Sequence, residues 1–353
     1  MLRRAARPAR VVESPPAPDV ILLTGATGFV GRAVAARLRG RQVLALARGK
    51  GGQSAGDRLS AAGVTGVVVL EGALGGDLSG LRDLDIETVI HCAGDPTFFP
   101  KDPDAYRNEH VEGALALYEA VRARNFAHVS TAFVCGDRTG TIREGESDLG
   151  QAFHNPYEET KLEIEKALRG VGGRDLRILR PSIIVGDAPA TTGGGPSEAV
   201  FGFARHMAQL AWHAKTKPRQ LRITGKKLAR FNLVPVEYVA DAIVALADDP
   251  AADGGTFHLV SDAPTLEEYF GVVAELAALP GLRVVEPRRG TLTGMNRHEV
   301  QLHAWLGKYL DYLGHDATFD DAVARSLLAR HGITPPSLRG AALVRIVDRA
   351  MAR

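Results

Sequence analysis

Residues 155–161 read Asn-Pro-Tyr-Glu-Glu-Thr-Lys. On a helix, Tyr157 and Lys161 lie four apart and so share one face, one turn from each other. A phenol beside an ammonium can act as a proton donor, because a positive charge nearby favours the phenolate and lowers the tyrosine pKa from its usual ~10. Such a pair also occurs on any solvated helix face, so its meaning depends on what the rest of the chain brings to it.

A second chemical feature lies upstream. "TGATGFVG" sets Gly25, Gly28 and Gly31 at GxxGxxG spacing between an apolar run, "DVILLTG", and a helical pattern, "FVGRAVAARLRG". In this strand–turn–helix context Gly25 permits the sharp turn, Gly28 the approach of a pyrophosphate, and Gly31 the packing of helix on sheet. The helix N-terminus then offers N–H donors and the positive end of its dipole to the phosphates. The ribose reader is expected about 20 residues on. There the chain has Arg48, with Lys50 and Arg58 nearby and no acid between Gly31 and Lys50, which points to the 2′-phosphate of NADPH rather than the free hydroxyl of NAD.

The elements that must position these groups follow in order. Strands are expected at 19–25, 42–48, 64–72, 87–94, 126–136 and 176–186, with helices at 104–124 and 155–168 between them. The strands are continuously apolar, as strands buried on both faces are. Their alternation with helices implies an α/β fold, a Rossmann doubly wound parallel sheet with helices on both faces. After Gly186 the pattern changes. A glycine-rich loop precedes a helical stretch at 197–215 and a cation-rich stretch at 215–230. A short strand and an amphipathic helix (233–249) and a strand (255–262) return to the sheet, and 265–353 is mostly helical, interrupted by "PRRGTLTG". The expected organisation is a disordered leader at 1–18, a Rossmann domain at 19–186 completed by 233–262, and a smaller, mostly helical substrate lobe from 187–232 and 263–353. The Arg-rich start also shares the composition of organelle transit peptides, but so polar a segment has little to bury.

Composition narrows the function. With 45% hydrophobic and 24% charged residues the chain is ordinary for a globular protein. A net charge of +2 gives no bias toward nucleic acid or membrane. Two cysteines, Cys92 and Cys135, make no disulfide framework and fit a reducing, cytoplasmic setting. The 11 histidines are scattered without ligand spacing, His91–Cys92 included, so no metal site is expected. No apolar run approaches a membrane span.

Taken together, "TGATGFVG", "HCAG" (91–94), "STAFVCG" (130–136), "NPYEETK" and "RPSIIVG" (180–186) resemble the extended short-chain dehydrogenase/reductase superfamily over residues 19–262. Within it, "FAHVSTAFVCGDRTGTIREG", running to Glu144, and "LVPVEYVADAI" are similar to the thioester and fatty acyl reductases, including reductase domains of carboxylic acid reductases and of peptide and polyketide synthases. The segment 318–336 resembles the tail of the fatty acyl members loosely. The resemblance implies that Thr131 hydrogen-bonds the substrate carbonyl, that Tyr157 donates the proton and that Lys161 holds the nicotinamide ribose. It also implies cofactor contacts from Thr24, Gly25, Thr27, Gly28, Phe29, Val30, Gly31, Arg48, Arg58, Ala93, Gly94, Tyr157, Lys161, Pro181, Ser182 and Ile183. Two positions depart from the pattern: Ala73 stands where relatives carry an aspartate, with Asp77 later, and His110 where they carry asparagine, with Asn108 on another face.

The activity so implied is NADPH-dependent reduction of an acyl thioester, carried by coenzyme A or a carrier protein, to an aldehyde or an alcohol. The alternatives are another extended-family oxidoreductase (a sugar-nucleotide epimerase or dehydratase, or a hydroxysteroid-type dehydrogenase) and a non-catalytic NADPH sensor. Lys215, Lys217, Arg219, Arg222, Lys226, Lys227 and Arg230 form an acid-free run. It is either a solvated face or a docking patch for coenzyme A phosphates or an acidic carrier protein. Phe98 and Phe99 either touch an acyl chain or cap the sheet.

Overall fold

A computed structural model describes residues 19–186, 204, 207, 209, 220–286 and 292–352. The leader at 1–18, most of the 197–215 stretch, and Lys215, Lys217 and Arg219 lie outside the described residues. Seven parallel strands form one sheet, in spatial order β11-β7-β5-β4-β1-β2-β3. These are β1 (Val20–Thr24), β2 (Gln42–Ala47), β3 (Val68–Glu71), β4 (Thr88–His91), β5 (Asn125–Val129), β7 (Asp175–Pro181) and β11 (Thr256–Leu259). The order reverses between β1 and β4, so the crevice beyond their C-terminal ends is the place where such sheets bind ligands.

Side-chain alternation explains the two-faced burial. Ile21 and Leu23 of β1 pack with Val34 and Ala35 of α1 (Phe29–Arg37) and with Val239, Ile243 and Leu246 of α5 (Val236–Asp248). Leu22 points the other way. It joins Leu117 and Tyr118 of α3 (Pro103–Ala120) and Ile164 and Leu168 of α4 (Pro156–Val171). Between β2 and β3 lies a helix that the periodicity does not mark, α2 (Ala55–Ala61), closed at its start by a capping box of Ser54 and Asp57.

Three expected strands are shorter than their apolar runs. The fifth stops at Val129, because Thr131 caps a 3₁₀ turn, Ala132–Cys135. The sixth breaks at Ser182: β7 ends at Pro181, and β8 (Ile183–Val185) pairs instead with β10 (Leu233–Pro235) in a separate two-stranded sheet. The third begins at Val68 rather than Val64.

A second core gathers Phe98, Phe133, Ile183, Leu233 and the later elements. The latter include α6 (Leu266–Leu276), α7 (Arg297–Leu306), α8 (Leu310–Gly314) and α10 (Ala341–Met351). Short parallel pairs also occur in this half: β9 (Leu221–Thr224) with β12 (Leu282–Val285), and β6 (Gly140–Ile142) with β13 (Ala317–Phe319). One late helix, α9 (Ala322–Arg330), leaves this half and packs Ala324 and Leu328 into the sheet core beside α5. Glu144 ties it there. Its buried carboxylate accepts the backbone N–H groups of Val323 (2.8 Å) and Ala324 (3.0 Å) at the helix start and of His258 (3.0 Å) on β11.

Candidate functional site

The glycine turn closes tightly over the ends of β1 and β4. Gly28 N–H donates to Gly25 O at 2.8 Å. A methyl on Gly31 would stand 2.1 Å from Gly25 O, and one on Gly25, whose φ is +73°, would stand 2.6 Å from Ala93 N. No side chain larger than hydrogen fits at either position. Thr24 Oγ1 accepts from Ala93 N–H at 3.3 Å and contacts His91 Nδ1 at 2.7 Å, which fixes the β4 end against the turn. Gly28 caps α1 without a side-chain cap. The first N–H groups of that helix therefore face the crevice with no protein acceptor competing from the cap, which fits a pyrophosphate. Phe29 and Val30 open the helix, and Val30 packs on the sheet core.

Arg58, on α2, spans from the glycine turn to the end of β2. It donates to Thr27 Oγ1 at 3.4 Å and, more closely, to the carbonyl of Arg48. The Arg48 side chain itself is exposed. One acid stands close by: Glu71, at the end of β3, places Oε1 3.1 Å from where a Gly49 Cβ would be. Asp77 holds its own turn, accepting from Ser79 N–H at 2.9 Å.

At the other end, α4 brings the tyrosine and lysine together beside the crevice. Lys161 Nζ donates to the Val129 carbonyl at 2.9 Å and lies 3.4 Å from a Gly94 Cβ position. The same ammonium is 6.0 Å from the centre of the Tyr157 ring. Thr131 sits where β5 gives way to the 3₁₀ turn. Its Oγ1 accepts from Phe133 N–H at 3.3 Å and reaches the Pro181 carbonyl at 3.5 Å. Ser182, next to Pro181 and Ile183, is buried with an Oγ that has no partner within the protein. An orphaned hydroxyl at this end fits a polar ligand group such as a nicotinamide amide.

The electrostatics correct one expectation. In the protein alone the phenol is not acidified. Burial pushes the Tyr157 hydroxyl up, and the Glu158 charge adds to it. Burial instead pulls Lys161 down to about 8, against the opposing pull of Cys92 and Glu165. Two buried groups thus meet, a neutral phenol that keeps its proton and an ammonium close to losing its own. His91, beneath them, is held at about 3 by burial first and then by the Lys161 charge.

The departure at His110 also has a structural reading. His110 Nδ1 contacts the Tyr106 carbonyl at 2.7 Å, and Nε2 accepts from Asp95 N–H at 3.1 Å. A carbonyl on one nitrogen and an N–H on the other select the neutral Nδ1–H tautomer. The ring thereby holds the loop after β4, helped by the Tyr106 hydroxyl, which donates to the Asp95 carbonyl. That loop carries Phe98, which is 2% exposed and 5.8 Å from the Tyr157 ring. Phe99 remains exposed.

Of the cation run, each described member has an acid within reach: Arg222 with Glu299 (2.7 Å), Arg230 with Asp262 (3.5 Å), Lys226 with Asp316 (3.9 Å) and Lys227 with Glu267 (4.0 Å). These acids come from distant sequence, so the run reads as acid-free only in one dimension. Among the described residues no group of His, Cys, Asp and Glu could hold a metal ion, and no helix is long and apolar enough to cross a membrane.

Sequence reasoning missed a buried ion pair behind the site. Arg180 on β7 grips Glu165 on α4 through Nε (2.9 Å) and Nη2 (2.5 Å), and Ser130 Oγ donates to the same carboxylate at 2.5 Å. It also missed Glu158 and Tyr312, which meet across 154 residues of chain. Neither Arg180 nor Glu165 stood out in sequence, because Arg180 shares β7 with Arg177 and Glu165 is one of several charges along α4.

Known proteins share this fold. The solved terminal R domain of the myxalamid PKS-NRPS biosynthetic pathway superposes with a TM-score of 0.73 at 23% identity, over 96% of this chain and 91% of that one. A thiolation-reductase di-domain from an archaeal non-ribosomal peptide synthetase gives 0.72 at 17%, over 94% and 74%. UDP-glucuronic acid 4-epimerase from Bacillus cereus, in complex with NAD, gives 0.65 at 19%, over 94% and 96%. Among curated proteins, the nonribosomal peptide synthetase asaC of Aspergillus flavus is 26% identical over 283 residues, 70% of this chain. The match covers 27% of that much longer protein. The profile of the NAD dependent epimerase/dehydratase family matches residues 21–259, spanning every strand of the seven-stranded sheet. The chain belongs to the NAD dependent epimerase/dehydratase family, the extended short-chain dehydrogenase/reductases.

Proposed function

We propose that the protein is an NADPH-dependent reductase of acyl thioesters carried by a carrier protein or coenzyme A. The observation that carries this reading is the placement of Lys161 between Val129 O, Gly94 and the Tyr157 ring, at the mouth of the glycine turn. Bound in the crevice, NADPH supplies hydride to a carbonyl. Charge then develops on the carbonyl oxygen, and Tyr157, protonated because it is buried, supplies the proton. Lys161 holds its charge beside that transfer and favours the phenolate left behind. Thr131, whose hydroxyl reaches the Pro181 carbonyl only at 3.5 Å, turns it to the oxyanion as a second donor; a well-placed donor can be worth up to ~3 kcal/mol. The first addition gives a hemithioacetal and loss of thiol gives the aldehyde; reduction on to the alcohol would consume a second NADPH and a second proton.

The thioester is supported by the likeness to reductase domains of synthases that work in chains of carrier-linked steps. NADPH is supported by Arg48, Lys50 and Arg58 around the end of β2, with Arg58 fixed across the crevice edge. A second reading, an NAD-dependent enzyme acting on a sugar nucleotide, is favoured by Glu71, whose carboxylate approaches the same strand end. The test is NADPH and NADH oxidation against acyl thioesters, free aldehydes, hydroxysteroids and sugar nucleotides, with products identified. NADPH consumption with acyl thioesters, reduced ~10²-fold or more in Tyr157→Phe, is the expected result. Turnover of sugar nucleotides with NADH, or an undiminished Tyr157→Phe enzyme, overturns the proposal.

A further inference from the structure

The start of α4 is held by a residue from the far end of the chain. Asn155 caps the helix, its Oδ1 accepting the Glu158 N–H at 3.1 Å. Its amide Nδ2 then donates to the Tyr312 hydroxyl at 2.8 Å. The Tyr312 hydroxyl donates in turn to Glu158 Oε1. The other carboxylate oxygen, Oε2, accepts from His154 N–H at 3.0 Å and lies 3.1 Å from His154 Nδ1. Glu158 is wholly buried, so these contacts, not water, satisfy it. Tyr157 lies between the two helix residues, Asn155 and Glu158, that Tyr312 joins.

The ring of Tyr312 does a second thing. It stacks on Phe98, with centroids 5.5 Å apart and planes 14° from parallel, and Phe98 packs on the Tyr157 ring at 5.8 Å. One side chain on α8 therefore fixes the backbone that carries Tyr157 through its hydroxyl and the ring of Tyr157 through its own ring and Phe98. A proton donor misplaced by about 1 Å loses much of its rate even when every reacting group is present.

We propose that Tyr312 is a positioning residue for Tyr157, a latch by which the later half of the chain aims the proton donor. This rests on Tyr157 being the donor, as in the reading above. It does not rest on the identity of the carbonyl substrate. The Glu158 carboxylate gives the latch its strength, because a buried charge that loses one hydrogen bond must find another or move.

The experiment measures single-turnover hydride transfer and, separately, the dissociation constant of the cofactor, for wild type, Tyr312→Phe and Asn155→Ser. Tyr312→Phe keeps the ring and its stacking and removes only the hydroxyl. Asn155→Ser keeps a good helix cap but removes the amide that reaches Tyr312. Both are expected to lower the hydride-transfer rate tenfold or more, with cofactor affinity unchanged within about twofold. Unchanged rates in both variants overturn the latch. So does a loss of cofactor affinity as large as the loss of rate, which would mark general disorder of the fold. If wild type turned over sugar nucleotides and no thioester, the thioester reading would fail alone, and the ratio of variant to wild type on that substrate would still judge the latch.

Discussion

Lys161 donates to the Val129 carbonyl and stands 6.0 Å from the centre of the Tyr157 ring, so the lysine reaches the phenol from a fixed point on β5. The strand end, rather than a carboxylate, anchors the ammonium. A carbonyl shares one of its three donors and leaves the positive charge uncancelled.

This arrangement predicts a pH limb. Burial lowers Lys161 from its ordinary 10.5 to about 8, so its charge disappears near pH 8 in the free protein. Since kcat/KM reports groups of the free enzyme, it should fall above about pH 8. Lys161→Arg, which stays charged throughout the range, should be slower but lose that limb; a limb left in place would assign it to another group. The same burial affects stability. Below about 8 the lysine is protonated in folded and unfolded chains alike, and the cost of the buried charge is fully present. Between about 8 and 10.5 the unfolded chain binds the extra proton, so stability should rise with pH there.

Arg58 links the glycine turn to the end of β2 through Thr27 Oγ1 and the Arg48 carbonyl. Arg58→Ala should raise KM for NADPH about tenfold, the scale of one lost charge-assisted contact, while kcat stays within about twofold. Measured side by side, the effect on NADH should be smaller. Equal effects on both cofactors would place Arg58 on the turn alone and not on the 2′-phosphate.

The Arg180–Glu165 pair predicts a stability effect. Arg180→Met leaves a buried Glu165 carboxylate without its bidentate partner and leaves the carbonyls of Glu144 and Glu146 without their guanidinium donor. Breaking such a pair costs about 3–5 kcal/mol, so the denaturation midpoint should drop sharply. An Arg180→Met, Glu165→Met double variant should recover much of the loss. If the double variant is no better than the single, the pair is not what holds α4 to β7.

Much of this was legible in the chain. The glycine turn, the alternating strands and the Tyr157–Lys161 spacing are local patterns, and each lies where the pattern puts it. Strand ends were less so. An apolar run looks the same on paper whether it continues as strand, as at Ile178–Leu179, or turns into a 3₁₀ cap, as at Ala132–Cys135. Hydrogen bonds decide that difference, and Thr131 supplies the deciding one. The helix α2 did carry a signal, Ser54 three residues before Asp57. Contacts such as Tyr312 with Glu158, Glu144 with Val323 and Arg222 with Glu299 had none, because each joins residues far apart in sequence. The cation run illustrates the same limit: its described members look uncompensated until the fold supplies their acids.

The grip of Glu144 on the start of α9 bears on how such chains recombine. A crossover that exchanged everything after residue 262 for a relative's sequence would also exchange Ala324 and Leu328, which fill the sheet's own core, and β13, which pairs with β6. Chimaeras that exchange the late segments must therefore spare 317–330 and swap two separate blocks on either side of it, since the hosting half reclaims that stretch from the middle of the guest.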